Sequence, residues 1–189
     1  MDNGAIITMD QAIIRSRNLV VSKLAAAVAI PVRLSDEQDP EAPPPYCYYS
    51  FISPYVPTGE FGNHTRQVIV DPETQTKYIR DVRAEYPEMI LSFTFCSRNR
   101  QAEKGEEING ETEALQLAAK AAGWFVQEGG FALSMDGLAV LRVNNLASRS
   151  GILADEYVRR WGFDVAIRYK AQTIRIDGII ERVITKQNK

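Results

Sequence analysis

The chain opens with a helical pattern of apolar residues and changes to strand patterns after a proline-rich stretch. The first pattern falls on one helical stripe formed by Ile13, Val20, Val21, Leu24 and Val28. Thr8 and Gln11 fit a capping box at its start, and Pro31 marks its end. An acidic, proline-rich linker follows. We therefore predict an N-terminal helix and hinge-like linker over residues 1–45, lying outside a main domain over residues 46–189.

Apolar positions recur with a period of two from Tyr46 onward, which predicts β-strands. The first predicted strand ends at Pro54, and the most strongly alternating one covers residues 88–96. Two shorter strands, 66–70 and 77–84, flank a turn and are polar on both faces. Polar hairpins seldom form cores, so we predict a projecting β-hairpin here.

A second helix is predicted over residues 111–127, after a charged stretch at 97–113 that reads as a disordered segment or surface loop. Its expected apolar face consists of Leu115, Ala118, Ala119, Ala122, Phe125 and Val126. Gly129 and Gly130 are interpreted as the stop signal of this helix.

Strands are predicted next at 139–143 and 156–169, and residues 173–185 suggest a last hairpin or a docking tail. Strands that follow one another with few helical crossovers favour an antiparallel or mixed sheet. The predicted fold class is therefore α+β, with a mostly antiparallel or mixed β-sheet flanked by two α-helices.

The composition is that of an ordinary globular domain, with 45% hydrophobic and 24% charged residues and a formal net charge of -2. This balance argues against a surface that coats nucleic acid. Cys47 and Cys96 lie in apolar strand-like runs, so we expect buried reduced thiols more than a disulfide. We expect neither a signal peptide nor a membrane span.

Candidate catalytic chemistry is sparse. His64 is the single histidine, and we interpret it as a surface loop residue. A cysteine hydrolase using His64 with Cys47 or Cys96 is an alternative, but no local signature surrounds either cysteine. Asp155 and Glu156 alternate to opposite faces of a strand, which disfavours a metal site. We therefore expect no enzyme, no cofactor and no metal.

The run from Asp155 to Val165 reads as a strand, yet it carries two arginines and three carboxylates. Each unpaired buried charge would cost several kcal/mol. One face of this strand is therefore expected to meet water or a partner subunit.

Three segments together resemble the bacteriophage neck and tail terminator proteins, which cap the tail tube and join it to the head. The segments are 48–55, then 87–95 leading to the helix with Trp124 and Phe125, then 140–145 followed by 155–165. Their order and spacing agree with that family over roughly residues 46 to 170. The charged 101–111 stretch and the N-terminal linker look longer than in the family.

The resemblance implies a structural protein of the virion that forms a closed ring, typically a hexamer, by head-to-tail contacts. Its implied partners are its own copies, the tail tube protein and the head–tail connector proteins, with assembly in the host cytoplasm. Genomic DNA would pass through the channel without sequence-specific binding. The residues expected at subunit or tube interfaces are Glu156, Arg159, Arg160, Arg66, Lys77 and Arg80.

Two related structural roles stay open beside the terminator. One is a head-completion or connector adaptor protein, which would show the same absence of catalytic chemistry. The other is a tail tube subunit, which should form long polymers instead of closed rings.

Overall fold

A computed structural model describes residues 8–35, 43–59, 62–102, 105–150 and 158–178. The helices in this part of the chain are α1 Met9–Val28, α2 Gly110–Val126 and α3 Glu128–Ser134. The strands are β1 Val32–Leu34, β2 Tyr46–Val56, β3 Asn63–Val70, β4 Lys77–Glu85, β5 Glu88–Arg98, β6 Arg100–Gln101, β7 Glu107–Ile108, β8 Ala139–Val143, β9 Ala147–Ser148, β10 Val158–Arg168 and β11 Ala171–Gly178.

The main sheet has the order β1-β2-β5-β10-β8, and β9 also pairs with β10. Among the described strands of this sheet, the short β1–β2 pair is parallel and the other pairs are antiparallel. This mixed sheet with helices packed against it confirms the predicted α+β class.

The hydrophobic core lies between the main sheet and the helices. Alternation along β5 turns Met89, Leu91, Phe93 and Phe95 to the helical side, and all four are fully buried as predicted. Phe93 and Phe163 lie beside each other on β5 and β10, and both contact Phe125 of α2, with ring centroids 5.6 and 6.1 Å away. Aromatic packing therefore holds α2 to the centre of the sheet.

Helix α1 belongs to this same core, which corrects the expectation that it lies apart. The capping box of Thr8 and Gln11 is confirmed at its start. Val20 and Leu24 are completely buried in the core cluster. Part of the expected linker is ordered as β1, while residues 36–42 of it lie outside the described ranges. Whether residues 46–189 fold alone stays a prediction.

Strand β2 continues past Pro54 to Val56, so the predicted end of this strand is wrong. Its pairing with β5 shifts register between Phe51 and Ser53 and again between Ser53 and Val56. A proline has no backbone N–H to donate, and an irregularity in the ladder is where a strand tolerates one.

A second sheet has the order β11-β4-β3. The predicted hairpin is present as β3 and β4, and its projection stays a prediction. The central strands of the main sheet lead into this sheet, because Arg168 of β10 pairs with Glu88 and Ala171 of β11 pairs with Glu85. The C-terminal segment forms the single strand β11 up to residue 178, and residues 179–189 lie outside the described ranges.

The charged stretch after β5 is more ordered than the sequence suggested. Ser97 is fully buried, and β6 and β7 form a small antiparallel pair. Arg100 makes a bidentate ion pair with Glu113 of α2, at 2.6 and 2.9 Å. This pair attaches the segment to the helix, and residues 103–104 within it are not described.

The buried face of α2 is rotated from the predicted one. The buried positions are Gly110, Ala114, Ala118, Ala121 and Phe125, whereas the predicted core residue Val126 is 70% exposed. Gly129 and Gly130 do not stop the helical region, because both lie inside α3. A Cβ atom at Gly129 would lie only 2.4 Å from the ring of Trp124, so glycine permits this close approach.

Candidate interaction surfaces

The charged strand β10 finds partners within its own chain. Alternation places Gly162 and Asp164 on the sheet face opposite the aromatic core, beside Thr94 and Ser92 of β5. Arg149 lies across this face and makes a 2.6 Å ion pair with Asp164. It also donates hydrogen bonds to Ser92 and Thr94, at 2.5 and 2.9 Å. We call these four side chains, Arg149, Ser92, Thr94 and Asp164, the polar staple.

Gly162 makes room for the polar staple. A Cβ atom there would lie 2.7 Å from Nε of Arg149 and 2.4 Å from the carbonyl oxygen of Phe93. The glycine inside an aromatic strand therefore has a physical reason: the arginine side chain passes directly above it.

The helical side of β10 carries a second polar contact. Trp161 donates its indole N–H to Glu111 of α2 at 2.6 Å. Arg159 lies near the same carboxylate, with Nε 3.9 Å from Oε2, and its side chain is 55% exposed. An ion pair this long and exposed contributes little to stability, so Arg159 remains available to a partner.

The expected interface residues fall into two separate groups. Arg159 and Arg160 lie on β10 of the main sheet, and Glu156 lies outside the described residues. Arg160 is half-buried, and its backbone N–H is hydrogen-bonded to Ser150 at 2.9 Å. The remaining three, Arg66, Lys77 and Arg80, lie on β3 and β4 of the second sheet. Their roles in assembly stay predictions.

The hairpin carries an ionic cluster near its base. Arg66 and His64 of β3 both contact Asp81 of β4, with Arg66 at 3.0 Å. The hydrogen bond from Arg66 lowers the pKa of Asp81, and the desolvation of the carboxyl opposes this effect. His64 is therefore a strand residue in an ionic cluster, which corrects its assignment to a loop. Such cross-strand pairs favour the register of an exposed hairpin.

The turn of the hairpin is defined by Asp71. Its carboxylate accepts the backbone N–H groups of Glu73 and Thr74, at 2.8 and 3.2 Å. These bonds lower the pKa of Asp71, so its charged form supports the turn. Beside the turn lie Val68, Ile69 and Val70, which are 62%, 37% and 46% exposed.

Several of the most exposed apolar side chains lie on the helices beside β8, at one edge of the main sheet. Val126, Phe131 and Met135 are each at least 70% exposed, and Leu141 of β8 is 38% exposed. Val126 and Leu141 line a groove between the helices and β8, together with Phe125, Gly130, Ser134 and the other residues of 139–143. Phe131 and Met135 directly follow the lining residues Gly130 and Ser134 in the chain. We call this surface the α3 groove. The four-residue spacing of Phe131 and Met135 could have indicated a further helix with an apolar side. The two preceding glycines were instead interpreted as the end of the helical region.

The groups considered for catalysis lie in unfavourable surroundings. Both cysteines are buried and free. Burial raises the pKa of the Cys47 thiol well above its usual range, and the nearby Cys96 raises it further, which disfavours a nucleophilic thiolate. Among the described residues, no group of three or more His, Cys, Asp or Glu side chains is placed to hold a metal ion. None of the described helices is both long and apolar enough to cross a membrane.

The sequence comparisons agree with the resemblance seen in the three segments. No curated protein matches the chain significantly. Residues 11–189 match the family described as phage neck terminator protein, which is a structural and not a catalytic family of the virion. The match includes α1 from its third residue and every other described helix and strand. This chain therefore belongs to the phage neck terminator protein family.

Proposed function

We propose that the protein is the ring-forming tail terminator of a tailed bacteriophage. In this role it caps the tail tube, stops its polymerisation and joins it to the head connector. The observation that carries the proposal is the family match over residues 11–189. We further propose that the protein has no enzymatic activity of its own.

A closed ring of identical subunits needs two different surfaces on each subunit that fit one another head to tail. The described surface offers separate candidates: the hairpin of the second sheet, and the α3 groove at one edge of the main sheet. A formal net charge of -2 also suits a channel through which DNA must pass, since a strongly basic lining would retain the phosphates.

The proposed contacts include the residues expected from the sequence. Arg159 is more than half exposed and only weakly engaged by Glu111, so it can pair with an acidic group of a neighbouring subunit or the tube. Arg159→Glu should weaken ring assembly while leaving the unfolding temperature nearly unchanged. Arg15→Glu on the exposed side of α1 is the matched charge reversal and should assemble normally. Equal assembly by both variants would remove Arg159 from the interface.

The function is tested with purified protein and its cognate tail tube protein. Light scattering coupled to gel filtration gives the mass of the protein alone and after mixing with tubes. Electron microscopy then gives the length of the tubes and any density at their ends. A terminator should form a closed oligomer of about six subunits, alone or on the tube, and should stop tube growth.

Other results point to other roles. Long polymers of this protein alone would indicate a tube subunit. A protein that ignores the tube but binds the connector would indicate a head-completion or connector adaptor. A protein that stays monomeric and lets the tubes grow would contradict the proposal.

A further inference from the structure

We propose that subunits join by strand addition: β3 of one copy pairs with the free edge of β8 in the next, and Val68 and Val70 enter its α3 groove. This inference rests on the proposed ring and identifies its interface. The occupant of the groove is a second copy of this chain.

The α3 groove has the properties of an acceptor. Strand β8 is an edge strand of the main sheet in the described part of the chain, because its recorded pairing is with β10 alone. Its backbone N–H and C=O groups on the outer side are a template for another strand. The side chains of Val126 and Leu141, 70% and 38% exposed, line the groove at this edge. The exposed Phe131 and Met135 follow the lining residues Gly130 and Ser134 in the chain. Apolar side chains this exposed mark interaction sites when they are clustered.

Strand β3 has the properties of a donor. It is an edge strand of the second sheet in the described residues, and all eight of its residues are exposed. Val68 and Val70 share one face of the strand, because side chains alternate. An added strand gains affinity from main-chain hydrogen bonds and specificity from alternate side chains that fill pockets.

Distance within the subunit favours a neighbouring copy as the acceptor. Val68 pairs with Ile79, which in turn pairs with Asp177 near the end of β11. The eight residues of β11 correspond to about 26 Å of strand. Strand β8 instead begins with Ala139 opposite Arg168 of β10, where the central strands of the main sheet lead into the second sheet. The apolar end of β3 is therefore separated along the strands from its own α3 groove.

The charges around the two surfaces complement each other. The exposed Arg142 of β8 lines the groove, and the exposed Glu128 at the start of α3 lies in the chain between the lining residues Val126 and Gly130. The hairpin carries the exposed Glu73 in its turn and the exposed Lys77 at the start of β4. Each surface thus offers one cation and one anion to the other. Because donor and acceptor differ, the contact is head to tail, as a closed ring requires.

The test uses three variants with one new aspartate each: Val68→Asp in the donor, Val126→Asp in the acceptor and Ile14→Asp on α1 as the control. All three positions are about half exposed or more, so the monomers should fold. Leu141→Asp, also in the lining of the groove, is the second acceptor variant if Val126→Asp unfolds. Thermal melting establishes folding, and mass measurements with and without tail tubes establish assembly.

We expect the control to assemble like the wild type. The donor and acceptor variants should each associate at least about tenfold more weakly, since burial of one large apolar side chain is worth more than this factor. An equimolar mixture of the donor and acceptor variants should form dimers that do not grow. Each such dimer uses the intact β3 of one variant and the intact groove of the other.

Two results would overturn the interface. Wild-type-like rings from folded Val126→Asp would show that the groove is not between subunits, and failure of such rings to bind the tube would assign it to the tube protein. A mixture that stays monomeric while the wild type forms rings would exclude the pairing of β3 with the groove. In both cases the terminator function stands. A wild type that is monomeric in solution and on tubes would overturn the function and the interface together.

Discussion

Removal of the guanidinium from the polar staple tests how the charged strand β10 is stabilised. Arg149→Met keeps most of the aliphatic stem and removes every hydrogen bond that the side chain makes to Ser92, Thr94 and Asp164. The fold predicts that these losses destabilise the folded protein, because the staple joins the segment after β9 to both central strands.

The expected magnitude follows from burial. Arg149 and Asp164 have side chains that are 28% and 27% exposed, so water compensates part of the broken ion pair. Thr94 is only 2% exposed and loses its recorded donor in a nearly dry position. A hydrogen bond to a charged group is worth about 1.5–3 kcal/mol. Because Asp164 and Ser92 are partly exposed and can bond to water in the variant, we expect the total loss to be close to the value of one such bond, about 2–3 kcal/mol in the free energy of unfolding.

The assay is urea denaturation, with thermal melting as the second measurement. For a chain of this size the expected loss corresponds to a fall in Tm of about 4–12 °C. Arg159→Met is the matched control on the same sheet, and it should cost less than about 1 kcal/mol because its ion pair is long and exposed. If the two variants lost the same stability, the argument that the staple stabilises β10 would fail.

Two further predictions concern the helices. Gly129→Ala should destabilise the folded protein by about 1–3 kcal/mol in urea denaturation, because the new methyl group would overlap the ring of Trp124. Gly123→Ala has open space around the new methyl group, so it should stabilise the protein by up to about 1 kcal/mol in the same assay. The hydrogen bond from Arg100 lowers the pKa of Glu113 below its usual value. The carboxylate therefore stabilises the fold above that usual pKa and loses its effect as the pH falls through the folded pKa. The difference in melting temperature between the wild type and Glu113→Gln should be largest at pH 7 and should shrink as the pH falls through the lowered pKa of Glu113; a constant difference would contradict this.

Local patterns predicted most strands and the beginning of the chain well. The alternation of β5 identified four fully buried residues, and β8 has the predicted bounds. The capping box of Thr8 and Gln11 correctly placed the start of α1. These features depend on neighbours two to four positions apart, which a sequence displays directly.

Features that depend on distant contacts were not predictable in the same way. The residues of β10 gave no sign that Arg149 would pair with Asp164 across Gly162, since this depends on the sheet order. The rotation of α2 was not predictable because small and large apolar residues surround much of this helix. The packing of Phe125 on Phe93 and Phe163 selects the buried face. The prediction that Gly129 and Gly130 stop the helical region was wrong, because the glycine at 129 is explained by the close approach of Trp124 and not by a reversal of the chain.

The described charges of β10 that first suggested a subunit interface differ in how far contacts within the subunit account for them. Asp164 pairs with Arg149 at 2.6 Å, whereas Arg159 is 3.9 Å from Glu111 and more than half exposed. Within the described residues, no comparable contact accounts for the exposed apolar groups at the α3 groove and on β3. Open strand edges with apolar side chains promote uncontrolled association, so a protein that keeps them gains most when a defined assembly covers them. The proposed ring would cover the β3 edge and the β8 edge of every subunit, because each subunit would supply one donor and one acceptor.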